Sequence, residues 1–232
     1  EAVVERLDIK KDLYKRLNEV IDTECVVTSN TSTIPISLLV EDMPMEFRKR
    51  FAITHYFNPV RYMRLLELVR GSDTDESIMD SLADFNDTVM GKGVVRCNDT
   101  PGFLGNRVGV FALQVGMDEA AKNNLTVEEA DALMGRPMGI PKTGVFGLYD
   151  LIGVDLMSDV VDTLGDILPS EDLFHAVGTL NNPVMPLIRD MILNGFTGDK
   201  GKGGFYRLDD KVAYAVDLMT GQMRLRKTTL PT

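Results

Sequence analysis

The sequence predicts an α/β unit followed by an all-helical one. Strand-like and helix-like patterns alternate up to about residue 98, the signature of an α/β unit with a largely parallel sheet. A Pro101-Gly102 turn then breaks the alternation, and from there to about Leu193 the apolar residues recur at helical spacing.

Residues 11–21 read as an amphipathic helix, with Leu13, Leu17, Val20 and Ile21 on one stripe. Residues 25–28 form a short strand that runs into Ser29-Asn30-Thr31-Ser32-Thr33. The carboxyl end of a strand is where α/β sheets hold ligands, and this turn offers small hydrogen-bonding side chains for one. The same residues also suit the start of a helix with Pro35 in its first turn, so both readings stand.

Two strands follow, residues 51–57 and 65–69, around a loop broken by Pro59. Period-two alternation puts Phe51, Ile53, His55 and Phe57 on one face, while Glu67 interrupts a run apolar enough to be buried. If the two arms lie side by side, His55 and Glu67 can meet. A buried carboxylate on an imidazole fixes its tautomer and makes its outer nitrogen a better general base. The alternative is a core histidine satisfied by a carbonyl and a glutamate at a sheet edge. Residues 73–91 then read as a helix, with Ile78, Leu82, Phe85 and Val89 inward, and residues 94–97 as a last strand.

In the helical half, residues 104–122 form a long amphipathic helix, and Thr126-Val127-Glu128-Glu129 has the capping-box form. Residues 137–147 make a long loop, residues 148–164 and 173–177 continue the helical pattern, and Asn182-Pro183 opens a last helix stopped by Gly195. Asn106, just past the junction, either reaches a substrate in a cleft or faces water. The glycine-lysine loop at residues 198–206 either contacts a phosphate or is a solvated turn. It lacks P-loop spacing, and the absence of H-E-x-x-H, C-x-x-C and G-x-S-x-G disfavours zinc hydrolysis, thiol redox and hydrolase triads, so no metal is expected.

A net charge of -10 with no Lys/Arg block argues against nucleic-acid or membrane partners. No apolar run approaches the roughly 18 residues of a membrane span. Cys25 and Cys97 read as reduced, buried thiols of a cytoplasmic protein. The opening Glu1-Ala2-Val3-Val4-Glu5 has neither cap nor methionine, as though cut inside a larger fold, so a fragment is expected.

Five blocks in order carry a resemblance: Ser29-Asn30-Thr31-Ser32; His55-Tyr56-Phe57-Asn58-Pro59; Glu67; Asp99-Thr100-Pro101-Gly102-Phe103 with Asn106-Arg107; and Gly203-Gly204-Phe205-Tyr206. Over about residues 1–206 the chain resembles the L-3-hydroxyacyl-CoA dehydrogenases of fatty-acid β-oxidation. The resemblance implies the second half of a Rossmann-type NAD-binding domain over residues 1–98 and a helical C-terminal domain over 99–206. Residues 207–232 would be a tail, or a linker to a further domain as in longer bacterial versions fused to an enoyl-CoA hydratase. It implies NAD as cofactor, an acyl-CoA substrate and a homodimer formed through the helical domain. His55 would be the acid/base and Glu67 its partner, Ser32 and Asn106 would hold the reacting oxygen, and Glu5, Lys10, Asn58, Ser32 and Lys200 would contact the cofactor. Gly201-Lys202 departs from the family's usual pair after that lysine. The family's G-x-G-x-x-G turn is absent from this sequence, so the chain taken alone is expected to bind cofactor poorly and turn over slowly. The competing readings are a non-catalytic dimerisation module and a β-hydroxyacid dehydrogenase with a lysine base, which would not need the His55 and Glu67 couple.

Overall fold

The computed structural model describes residues 1–178 and 181–227. They fall into two compact units, Glu1–Arg107 and Val108–Thr232. The division comes after the residue-98 boundary expected from the pattern change, because the turn following Asp99 is bonded back onto the sheet.

The first unit is built on a four-stranded sheet in the order β1 (Val27–Ser29), β2 (Phe51–Tyr56), β3 (Leu65–Arg70), β4 (Gly93–Cys97). The sheet is mixed rather than largely parallel: β1 and β4 run parallel to their neighbours, but β2 and β3 are antiparallel. Residues 57–64 are too short a connection for a parallel crossover, so the chain turns back beside itself. Both faces of this central pair are covered. Phe51, Ile53 and Val69 pack with Tyr14, Leu39, Phe47 and Phe103, while Ala52 and Leu68 pack on Met79. Two-sided burial explains why β2 and β3 read as nearly continuous apolar runs.

Helix α1 (Leu7–Asn18) starts and ends earlier than its periodicity suggests, and α2 (Ile36–Leu39) and α3 (Met45–Lys49) are single turns. Because α1 stops at Asn18, Val20 is left exposed and Lys10 and Tyr14, one turn apart, take the inward stripe. Helix α4 (Glu76–Asp84) continues into a π-helical turn, Phe85–Val89. A π turn inserts one extra residue and rotates the side chains beyond it. Phe85 and Val89, expected inward, are therefore exposed, and Asn86 is buried instead. The cysteines depart from expectation too. Both are free, but Cys25 precedes the strand and is exposed, and Cys97 is half-buried.

The second unit has a core of its own, centred on Met117, Phe146, Tyr149, Val161, Met185 and Phe205. Helix α5 (Gly105–Lys122) leads into it, and α6 (Val127–Leu133) opens with both halves of the Thr126 and Glu129 capping box. The stretch expected as one helix over 148–164 is two, α7 (Phe146–Ile152) and α8 (Val154–Ile167), divided at Gly153 with φ +117°. Helices α9 (Phe174–Val177) and α10 (Met185–Leu193) follow.

The stretch from residue 207, expected as a tail or linker, folds instead. Strands β5 (Tyr206–Asp209), β6 (Val212–Val216) and β7 (Met223–Leu225) form an antiparallel sheet. Asp210 and Lys211, both at positive φ, make the tight turn between β5 and β6, which matches strand twist in a two-residue hairpin. Ala215 and Val216 are fully buried in the unit's core. Residues 228–232, the end of that expected tail, lie outside the described residues.

Candidate functional site

The antiparallel register of β2 and β3 sets His55 directly opposite Glu67. The imidazole is 7% exposed and the carboxylate fully buried, with His55 Nδ1 2.6 Å from Glu67 Oε2. A contact of that length on a buried carboxylate makes Nδ1 the protonated nitrogen and leaves Nε2, on the far side of the ring, to act as the acceptor. Phe57 and Phe103 wall the imidazole, with ring centroids 4.5 and 5.7 Å away.

Glu67 is itself anchored. Its other oxygen accepts the backbone N–H groups of Leu104, at 2.9 Å, and Gly105, at 2.6 Å. Burial pushes this carboxyl up, but His55, Gly105 and Leu104 together outweigh burial and hold it below the usual glutamate range. The two amides come from a turn in which Gly102 and Phe103 both have positive φ, 72° and 46°. Successive N–H groups in such a turn form an anion-binding concavity, here filled by the protein's own carboxylate. Gly105 is required by this approach, since a Cβ there would lie 2.6 Å from Phe57 Cζ. Cys97 Sγ lies 3.9 Å from the same Glu67 oxygen, and burial, reinforced by that charge, pushes its thiol up to about 11.

At the carboxyl end of β1 the polar turn is fastened by Glu5. Its Oε1 accepts the Thr31 hydroxyl, the Ser32 N–H at 3.2 Å and the Thr33 hydroxyl at 3.2 Å. Thr31 Oγ1 accepts the Ile34 N–H at 3.0 Å, so the turn has the cap-like bonding one reading expected, while Ser32 itself is half-buried at its tip. Asn30 Oδ1 takes the Tyr56 N–H at 2.9 Å, tying the turn to the strand that carries His55. Behind Glu5, Lys10 is 1% exposed and its ammonium lies 3.1 Å from Glu1 and 3.2 Å from Glu5. Burial raises the Glu1 carboxyl, but Ser29, Tyr14, the Val3 amide and Lys10 hold it down at about 2.

His55, Glu67, Ser32, Asn106, Glu5, Lys10 and Asn58 therefore all belong to the first unit. Asn58 is exposed just beyond β2, and Asn106 is half-buried in the first turn of α5. Lys200 belongs to the second unit, where it pairs with Asp155 at 2.7 Å. Its loop is not a free solvated turn. Asp150 closes both ends, its carbonyl on the Asp199 N–H at 2.9 Å and its carboxylate on the Phe205 and Tyr206 N–H groups, both at 2.8 Å.

Sequence reasoning passed over the part that Glu1 and the Leu104 and Gly105 amides play in the site. Glu1 is signalled only indirectly, by Lys10 and Tyr14 sharing a helix face, and the amides by the glycine that follows the turn. Among the described residues no cluster of three or more His, Cys, Asp or Glu side chains could hold a metal ion. No helix among them is long and apolar enough to cross a membrane. The polar turn sits at the carboxyl end of β1, the place where α/β sheets take ligands.

Residues 1–100 match the family model described as 3-hydroxyacyl-CoA dehydrogenase, NAD binding domain, and residues 102–208 match the C-terminal domain of the same family. A Rickettsia prowazekii protein is 40% identical over 208 residues, which are 90% of this chain and 28% of that relative. The mitochondrial hydroxyacyl-coenzyme A dehydrogenase of Sus scrofa is 32% identical over 207 residues, 89% of this chain and 62% of its own length. The 3-hydroxybutyryl-CoA dehydrogenase of Escherichia coli superposes with a TM-score of 0.73 at 29% identity, covering 86% of this chain and 40% of that one. M. tuberculosis FadB2 superposes with a TM-score of 0.74 at 31% identity, covering 90% of this chain and 70% of that one. With both domain models matched in chain order and a solved relative covered over most of its length, the chain belongs to the 3-hydroxyacyl-CoA dehydrogenase family.

Proposed function

We propose that the protein carrying this chain oxidises L-3-hydroxyacyl-CoA to 3-ketoacyl-CoA in fatty-acid oxidation, using NAD. The observation that carries this reading is the buried His55 and Glu67 couple on facing strands, with Glu67 pinned by two backbone amides. His55 Nε2 takes the proton of the 3-hydroxyl. Glu67 stabilises the imidazolium that results and keeps the ring in the tautomer that leaves Nε2 free to accept. Bound nicotinamide supplies the hydride acceptor. Ser32 and Asn106 orient the substrate oxygen and support it as the carbonyl forms. Glu5 and Asn58 contact the cofactor, and Lys10, fully enclosed, acts by orienting Glu5. Lys200 is a further cofactor contact on the family resemblance alone.

The arrangement disfavours a lysine-base dehydrogenase. Lys10 is 1% exposed and its ammonium is enclosed between Glu1 and Glu5, away from any substrate hydroxyl it would have to deprotonate. Two free cysteines fit a reducing compartment such as the cytoplasm. We further propose a homodimer formed through the helical domain, expected as twice the monomer mass in light scattering.

The test is loss of NADH absorbance with acetoacetyl-CoA in the full-length protein. Turnover that H55Q abolishes supports the reading, and wild-type protein inert towards this substrate sinks it.

A further inference from the structure

Asp99 stands where the strand leaving β4 enters the turn that serves Glu67. Its Oδ2 accepts the N–H of Ile36, the first residue of α2, at 3.0 Å, and the Ser37 N–H also faces the carboxyl. Ile36 lies four residues after Ser32, on the exit of the turn whose front is fastened by Glu5. Five and six residues after Asp99 come the two amides that hold Glu67, then Asn106.

Two features set this aspartate apart from an ordinary cap. Its Oδ1 is buried without a hydrogen-bond partner, at a cavity of about 320 Å³ bounded by Ile36, Arg48, Gly71 and Thr74. An unsatisfied buried oxygen costs stability, and departures of this kind from local rules concentrate at functional sites. The turn it opens is also strained, with the bulky Phe103 at φ 46°. Such a conformation persists only where its surroundings over-determine it.

We propose that Asp99 is a positioning residue: one carboxylate that fixes the Ser32 turn and the Glu67-holding turn at a set separation, and so keeps the two oxygen-orienting side chains, Ser32 and Asn106, in alignment. The proposal rests on the dehydrogenase reading for its kinetic consequence but not for the link itself. Without Asp99 the strained turn relaxes, Leu104 and Gly105 drift from Glu67, and Ser32 and Asn106 no longer converge on one oxygen.

The test compares D99A with D99N, which keeps an acceptor oxygen, in the full-length protein. In D99A, kcat with NADH and acetoacetyl-CoA is expected to fall about 10-fold or more, with both KM values held within about 3-fold, the pattern of lost alignment rather than lost binding. D99N should recover most of that loss. Amide hydrogen exchange gives an independent readout: in D99A it should accelerate at Leu104 and Gly105 as well as at Ile36. Ile36 is also a core side chain, 3% exposed, so I36A, which keeps the N–H, serves as the control for I36P, which removes that donor at a first helical position that tolerates proline. Relative to I36A, I36P should accelerate exchange at Leu104 and Gly105 in the same way, and it decides the matter if D99A does not fold. Exchange confined to Ile36, an unchanged kcat in D99A, or equal impairment of D99A and D99N would overturn the proposal. Inert wild-type protein would instead overturn the dehydrogenase reading, while the exchange measurements still judge the link.

Discussion

Glu67 receives three close hydrogen bonds, one from an imidazole and two from the backbone, and each has a separate consequence. E67Q keeps the shape but presents an amide to His55 Nδ1, so kcat should fall by about 100-fold or more with little change in KM. Folded-state ionisation gives a second expectation. The carboxyl lies below its ordinary value of 4.5, so its stabilising contribution is fully present above that value and is lost as pH falls through the lowered folded value. Urea titrations should therefore show wild type and E67Q converging on acidification. At Cys97, burial and the neighbouring charge raise the thiol to about 11, while Cys25 is exposed. Ellman's reagent at mildly alkaline pH should label Cys25 in the folded protein and Cys97 only after unfolding. Much of this was legible in the sequence. Period two placed His55 on the covered face and an acidic residue in an apolar run marked Glu67, but the amides of Leu104 and Gly105 have no side-chain signature, so only the folded chain reveals them.

At the scale of elements, the first turn of α5 can approach Glu67 only because Gly105 lacks a side chain. G105A brings a Cβ against the Phe57 ring, so about 1–3 kcal/mol of stability should be lost, with part recovered in a G105A/F57A double variant, as read by thermal melts. The Lys200 loop offers the opposite electrostatic case from Glu67. Burial pushes the Asp150 carboxyl up to about 6 against the pull of the Tyr206 and Phe205 amides. Since the folded state then binds more protons than the unfolded one between 3.8 and about 6, this group's effect makes stability decline as pH rises through that window. Denaturation midpoints across it should show a slope that D150N lacks. The elements also show where periodicity runs out. A helical stripe identified α4, but the π turn rotated Phe85 and Val89 outward, and a one-residue insertion in a hydrogen-bond ladder leaves no mark on apolar spacing.

For the whole molecule, the change from alternating to helical pattern located two units, and the structure moved their division to Arg107 because hydrogen bonds, not composition, tie the turn after Asp99 to the sheet. The last sheet was missed because mixed charge and a two-residue turn resemble a linker when no partner strand is visible. Ending the chain after Leu208 should therefore destabilise the second unit, since it removes Val216 from the core, worth about 1.5–3 kcal/mol, and the ion pair of Arg224 with Glu128. A tail would be removed at no cost, so an unchanged melting temperature would contradict the fold described. The amide pair on Glu67 has one more consequence. Because the Leu104 and Gly105 protons point at the carboxylate that faces His55, their NMR resonances form a spectroscopic address for the charge state of the couple. Titrating the protein while watching these two peaks reads protonation at its centre through backbone atoms that no substitution has altered.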